Sequence, residues 1–286
     1  MKACLIVSTY SPRKCGIATF SNDLRDNLLP KGQRVLIAAI SDSFSSYVYP
    51  PEVAFKIQQE RKADYISCAK WANHNPDIEL VIIQHEYGIF GGQDGDYVLE
   101  LASHLQKPYL LVTHTVLPHP YEYQKKVLMR LANCANGVIC MTARARKLLF
   151  NIYSVPLEKI FVVPHGVPNF LIKDREVLKE KYGLKDRRII TTFGFIGPGK
   201  GLEFGLKALA KVVEKHPNIL YLIAGNTHPM LLRSEGERYR NSILQLVEEL
   251  KLENNVLFVN HFLDINEIGD YLYMTDIYLS PYINMD

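Results

Sequence analysis

The sequence has no run of about 18 apolar residues, so no helix read from it spans a bilayer. Its start, Met1 to Thr9, is a short apolar run without the length or cleavage pattern of a signal peptide. Cysteine is scarce: Cys4, Cys15, Cys68, Cys134 and Cys140 make an odd number with no CxxC spacing. That argues against a disulfide framework and a zinc site, and fits reduced thiols in a cytoplasmic protein. Charge of one sign is also lacking. The net charge of +3 is too small to argue for a nucleic-acid partner. Residues 171–286 hold 15 Lys/Arg and 16 Asp/Glu, a net of −1. Subtraction from the totals of 33 and 30 leaves 18 and 14 for residues 1–170, a net of +4, so the first half is the basic one. There is no low-complexity tract and no repeat of 20–50 residues.

What is present is globular. Nearly half of the 286 residues are hydrophobic, enough for two cored domains. Short apolar runs alternate with longer amphipathic stretches. The spacing predicts buried strands at Ala3–Ser8, Val35–Ile40, Leu80–Gln84, Tyr109–Thr113, Gly137–Met141 and Ile160–Val163. A second series follows at Ile189–Phe193, Leu220–Ala224, Val256–Val259 and Ile277–Ser280. These ten runs lack clean polar alternation, as expected of strands covered on both faces of a parallel sheet. Helical patterns lie between them at Thr19–Leu29, Leu202–Lys215 and Asn241–Leu252. Strands alternating with helices imply doubly wound α/β sheets. The segment Pro164-His165-Gly166-Val167-Pro168-Asn169 reads as an interdomain loop. The expected architecture is therefore two Rossmann-like domains, 1–168 and 169–286. The second has four strands and no closing helix, and is expected to be truncated.

Chemistry concentrates in a few places. Thr192-Phe193-Gly194-Phe195-Ile196-Gly197-Pro198-Gly199-Lys200-Gly201 follows a strand and opens a helix. Glycines let backbone approach a ligand, the first amides of a helix are unpaired donors, and Lys200 adds a point charge. Together they suit a diphosphate; a plain glycine-rich turn with a solvated lysine is the other reading. The pattern covers seven positions of a P-loop, but Gly201 stands where that motif needs a Mg²⁺-binding Ser or Thr. No G-x-G-x-x-G follows the first strand, which argues against a nicotinamide dehydrogenase. That first turn, Thr9 to Gly16, is long and basic, and Gly16 stands directly before a helix. Two histidines lie at predicted strand ends, in Gln84-His85-Glu86-Tyr87-Gly88 and Val112-Thr113-His114-Thr115, where open α/β sheets bind ligands. Asp94-Gly95-Asp96 has metal-motif spacing but reads as a helix cap.

Taken in order, these segments resemble a retaining glycosyltransferase of the GT-B fold, in the large family numbered four. The resemblance rests on Cys15-Gly16, on His85-Glu86 after its strand, and on Lys107-Pro108-Tyr109 through Thr113-His114. It continues in Val162-Val163-Pro164-His165-Gly166-Val167, Gly194 to Gly201, Leu222-Ile223-Ala224-Gly225 and Val256–His261. It implies two Rossmann-like domains facing a cleft and transfer of a sugar from a nucleoside-diphosphate donor to an acceptor hydroxyl, with retention and without a metal or other cofactor. It assigns Gly16, Gly194, Gly197, Gly199 and Lys200 to the donor phosphates, His114 to the donor sugar, and Glu86 with His85 to the acceptor side. Asn226 would face the donor, and the base would meet the chain near His261 and Phe262.

The departures are specific. Phe195 stands where relatives carry an arginine, which leaves Lys200 as the loop's cation. His165 replaces the linker's usual asparagine, and the family's Glu-x₇-Glu element is not reached before Asp286. A non-catalytic module binding a nucleotide or glycan is therefore the alternative. A glycan or lipid-linked acceptor is expected. Residues 123–150 carry Lys125, Lys126, Arg130, Arg144, Arg146 and Lys147 with no acid, interleaved with Leu128, Leu131 and Leu149. That segment reads either as a peripheral membrane contact or as two ordinary amphipathic helices.

Overall fold

A computed structural model describes residues 2–43 and 46–283, apart from the side chains of Pro229 and Met230. The chain forms two compact units, one running through Gly166 and the other from Val167. The sequence also reads Pro281–Asp286 as the loop leaving the last strand, and of these, residues 284–286 lie outside the described part.

The first unit is built on β1 (Ala3–Ser8), β2 (Arg34–Ser41), β3 (Val53–Gln58), β4 (Ile78–His85), β5 (Tyr109–Thr113), β6 (Gly137–Cys140) and β7 (Ile160–Val162). All pair in parallel, in the order β3-β2-β1-β4-β5-β6-β7. The second unit has β8 (Arg188–Phe193), β9 (Ile219–Ala224), β10 (Val256–Val259) and β11 (Ile277–Tyr278), parallel in the order β10-β9-β8-β11.

Continuous apolar runs make the central strands because both faces are covered. Every residue of β1 is buried. Leu5 and Val7 join one core cluster, and Cys4 and Ile6 join another. In the second unit Tyr221 and Ile223 of β9 enter one cluster, Leu222 and Ala224 the other. This is the two-sided burial that parallel sheets require.

Two expectations change. The strand β3, VAFKIQ, was absent from the sequence reading; it lies at the sheet edge and buries only Ile57 fully. An edge strand needs no continuous apolar run, so Lys56 is tolerated there. Asp94 and Asp96 do not cap a helix. Helix Val98–His104 has no side-chain cap, and the two carboxylates accept the hydroxyls of Tyr121 and Tyr123, the latter at 2.6 Å. The basic segment forms amphipathic helices, one of its two readings: Leu128, Leu131 and Leu149 are core residues of helices Glu122–Cys134 and Ala143–Asn151. What that segment offers outward is its Lys and Arg heads, with Phe150 47% exposed.

Candidate functional site

Strand order places the chemistry. In the first sheet, successive strands step one way from β1 to β3, then the other way from β4 to β7. The loops leaving β1 and β4 therefore diverge, and the crevice opens at their carboxyl ends. The second sheet repeats the arrangement, with β9 on one side of β8 and β11 on the other. The loop leaving β8 is Gly194–Gly201, so the glycine-rich segment occupies its sheet's switch point.

That loop is shaped by close backbone contact. Gly225, leaving β9 with φ +142°, packs on Gly194 at φ +117°. The amide of Gly194 donates to Ala224 at 3.0 Å and that of Ile196 to the carbonyl of Asn226 at 2.8 Å. Asn226 is half-buried beside the loop, joined to it through backbone. The turn closes itself with the amides of Lys200 and Gly201, which donate to Gly197 and Pro198 at 3.0 and 3.2 Å. Gly201 then adopts φ +61° and starts helix Leu202–Val213. A side chain at 201 would meet the carbonyl oxygen of Pro281 at 2.1 Å. The position thus rejects the Ser or Thr of a P-loop sterically as well as by sequence.

Phe195, Gly197, Pro198, Gly199 and Lys200 line a pocket of about 270 Å³ with His228, Leu231 and Tyr282. Lys200 bends back over the loop, its Nζ 3.0 Å from where a Cβ of Gly194 would lie. The Phe195 ring sits 5.4 Å from His228 and 6.2 Å from Phe262. Phe262 therefore joins the site through an aromatic contact. His261 is exposed and engaged with Glu267 at 2.8 Å, on the helix that follows.

A buried cation supports these turns. Arg240, on helix Arg238–Glu249, donates from Nη2 to the carbonyl of Gly225 at 2.7 Å and from Nη1 to Asn260. Its Nε lies 3.5 Å from a Glu237 oxygen. The sequence reading passed over Arg240. The signal was available: Arg240 shares the buried face with Ile243 and Val247, three and seven residues on.

The first unit gathers its own polar group. Gly16 is exposed and begins helix Gly16–Leu28, whose N-cap is Cys15, with Sγ accepting from Ala18. Phe20 of that helix stands edge-on to His114 at 4.8 Å and to His165 at 5.7 Å. His114 Nε2 donates to Gln84 Oε1 at 2.8 Å, which leaves Nδ1 as the acceptor nitrogen. Burial, with His165 nearby, pushes His114 down to about 4. His85 is 1% exposed, packed against Tyr87 and Phe90, with neither ring nitrogen hydrogen-bonded among the described residues. Burial, aided by His114, pushes it down to about 3. Both histidines are therefore neutral at pH 7. Glu86 accepts from Thr115 Oγ1 at 2.6 Å and from the Tyr87 amide at 3.0 Å. Burial outweighs those bonds and raises its carboxyl. His114, Glu86 and His85 thus form one cluster, with His85 beneath the other two. Gln84 and Thr115, which orient it, were not singled out in the sequence.

Residues 174–284 match the family model described as Glycosyl transferases group 1. The chain is 30% identical over 97 residues to the alpha-D-kanosaminyltransferase of Streptomyces kanamyceticus, covering 32% of this chain and 25% of that enzyme. It is 27% identical over 79 residues to the putative glycosyltransferase YtcC of Bacillus subtilis, covering 24% and 19%. The chain thus spans a quarter or less of the curated relatives it matches. In fold it is similar to Anabaena HepE solved with UDP and glucose, with TM-score 0.73 at 17% identity over 97% of this chain and 73% of that one. It is also similar to the sucrose-phosphate synthase of Thermosynechococcus elongatus, with TM-score 0.77 at 16% identity over 99% and 76%.

Proposed function

We propose that this chain, a GT-B glycosyltransferase by fold and by the family signature of its second unit, moves a sugar from a nucleoside-diphosphate sugar to an acceptor hydroxyl. The observation that carries the reading is the Gly194–Gly201 loop at the switch point of β8, with Lys200 turned back over it. In the reaction, the bond from the anomeric carbon to the diphosphate breaks as a bond to the acceptor oxygen forms. The acceptor's proton passes to the leaving phosphate. Negative charge grows on the diphosphate, and oriented donors aimed at that charge lower the barrier. Lys200 and the amides around Gly197 and Gly199 are those donors. The Lys200 charge answers the need that a bound metal answers elsewhere, so the reading calls for no metal.

In this reading neutral His114 serves the sugar, its acceptor Nδ1 available to a hydroxyl. Glu86 serves the acceptor side, held by Thr115, and His85 supports both from below. A glycan or a lipid-linked saccharide is the acceptor class. Retention is proposed from the order of family motifs alone, and the anomeric configuration of the product tests it by NMR.

Thermal shifts with UDP-, GDP- and ADP-sugars test the donor site, with and without Mg²⁺, in the wild type and in Lys200→Ala. The expected result is stabilisation independent of Mg²⁺ and lost in Lys200→Ala. Stabilisation that needs Mg²⁺ and survives Lys200→Ala would sink the reading. Release of nucleoside diphosphate only when a saccharide acceptor is added separates transfer from binding.

A further inference from the structure

One side chain holds the Lys200 ammonium in two ways. Nζ donates to Tyr282 Oη at 2.6 Å and lies 4.4 Å from the centre of the same ring. The backbone around Tyr282 also follows the glycine loop. The Pro281 carbonyl abuts Gly201, and the Ile283 amide donates to Gly199 at 3.4 Å. Residues 281–283, leaving β11, therefore form a strap along the loop that leaves β8. The two strands are neighbours in the sheet, so both loops start from the same switch point.

The chemistry of this partner matters. A carboxylate beside Lys200 would neutralise it, whereas a tyrosine hydroxyl and ring face attract the ammonium without cancelling its charge. Among the described residues no carboxylate pairs with Lys200. An ammonium has three N–H donors, so the bond to Tyr282 leaves two for an anion. A free lysine side chain carries rotamer entropy, and a lysine already held loses less of it when a ligand arrives.

We propose that Tyr282 is a positioning residue of the donor site, holding the Lys200 ammonium over the glycine loop so that it meets the donor's diphosphate already placed. This rests on the reading that the loop binds a nucleoside diphosphate. Tyr282 acts through Lys200 and through charge, so its effect falls on the phosphates and spares the nucleoside.

Calorimetric titration of the full chain with UDP, GDP and ADP, and with uridine, guanosine and adenosine, tests this. Tyr282→Phe keeps the ring and removes the hydroxyl; Tyr282→Leu removes both. The diphosphate that binds the wild type most tightly should bind Tyr282→Phe about threefold to tenfold more weakly. It should bind Tyr282→Leu more weakly still, with affinity for the parent nucleoside unchanged in both. In a Lys200→Met background Tyr282→Phe should have no further effect, because the coupling runs through Lys200. If Tyr282→Leu unfolds, Tyr282→Phe and its cycle with Lys200→Met decide. Unchanged or tighter diphosphate binding in Tyr282→Phe, or a loss that persists in Lys200→Met, overturns the inference while Lys200→Met alone still upholds the donor site. A wild type that binds none of the three diphosphates overturns the donor reading and this inference with it.

Discussion

Gly225 and Gly194 touch through their backbones: a Cβ on Gly225 would lie 2.1 Å from the Gly194 carbonyl oxygen. Both have positive φ, which a side chain rarely adopts. The contact joins the turn leaving β9 to the loop leaving β8, and so shapes the candidate phosphate site.

Two glycine substitutions separate this architecture from ligand approach. Gly225→Ala is expected to cost about 2–5 kcal/mol, combining backbone strain with a backbone clash. Gly199→Ala meets nothing within 4 Å, so its melting temperature should match the wild type. The added methyl would stand over the loop, however, and nucleoside-diphosphate affinity should fall. Thermal melts and calorimetry read the two effects. Equal melting of Gly225→Ala and wild type would show that the Gly194 contact does not shape the unit.

The histidine cluster sets a pH dependence. His85 is pushed from 6.5 to about 3 and His114 from 6.5 to about 4. The unfolded chain therefore binds protons below pH 6.5 that the folded chain refuses until the pH falls further. Stability should be steady above pH 7 and decline as pH falls from 6.5 towards 4, by on the order of 1 kcal/mol per pH unit for each histidine. Urea midpoints at pH 7.5, 6 and 5 would show this. In His85→Phe the decline should be shallower, and an identical slope in that variant would remove His85 from the account.

Arg240 is expected to matter for stability before it matters for chemistry. Arg240→Met leaves the Gly225 carbonyl and Asn260 without their donors, at a cost of about 2–4 kcal/mol. Arg240→Lys should recover only part, because an ammonium cannot reproduce the guanidinium fork. Denaturant curves for the three proteins would decide, and a lysine variant as stable as wild type would show that charge alone suffices.

Asp270 ties the start of the second unit to its last helix. Burial alone would raise its carboxyl, but hydrogen bonds from Lys173, Lys181 and Tyr182 outweigh it and hold it down to about 2. Its folded value lies below the ordinary 3.8, so the stabilisation is present above pH 3.8 and lost as pH falls towards 2. Asp270→Asn should cost about 1–3 kcal/mol at pH 7, near the lower end because Lys173 and Lys181 are 38% and 60% exposed and water screens them. Equal chemical stability of Asp270→Asn and wild type at pH 7 would mean these pairs contribute nothing.

Much of the site was legible in one dimension. Gly194 and Gly201, at φ +117° and +61°, hold turns that favour glycine, and with Lys200 between them they are the residues from which an anion site is proposed. His85 and His114 announce themselves by following apolar runs, which places them at strand ends. The runs themselves were readable because a strand buried on both faces must be apolar throughout, as β1 is. For Asn226 and His261 the contacts are tertiary: the carbonyl of one is joined to the loop, and the other is engaged with Glu267.

The sequence by itself determined the alternation of strand and helix and the glycine-rich turn before helix Leu202–Val213, since these depend on local periodicity and local backbone freedom. The tertiary structure alone decided which strand ends lie side by side. That adjacency brings Tyr282 to Lys200 across 82 positions of chain, sets Arg240 behind Gly225, and admits β3 at an edge where half its residues face water. Contacts of that kind depend on sheet order, and strand order is a property of how the elements pack, which no local pattern of residues records.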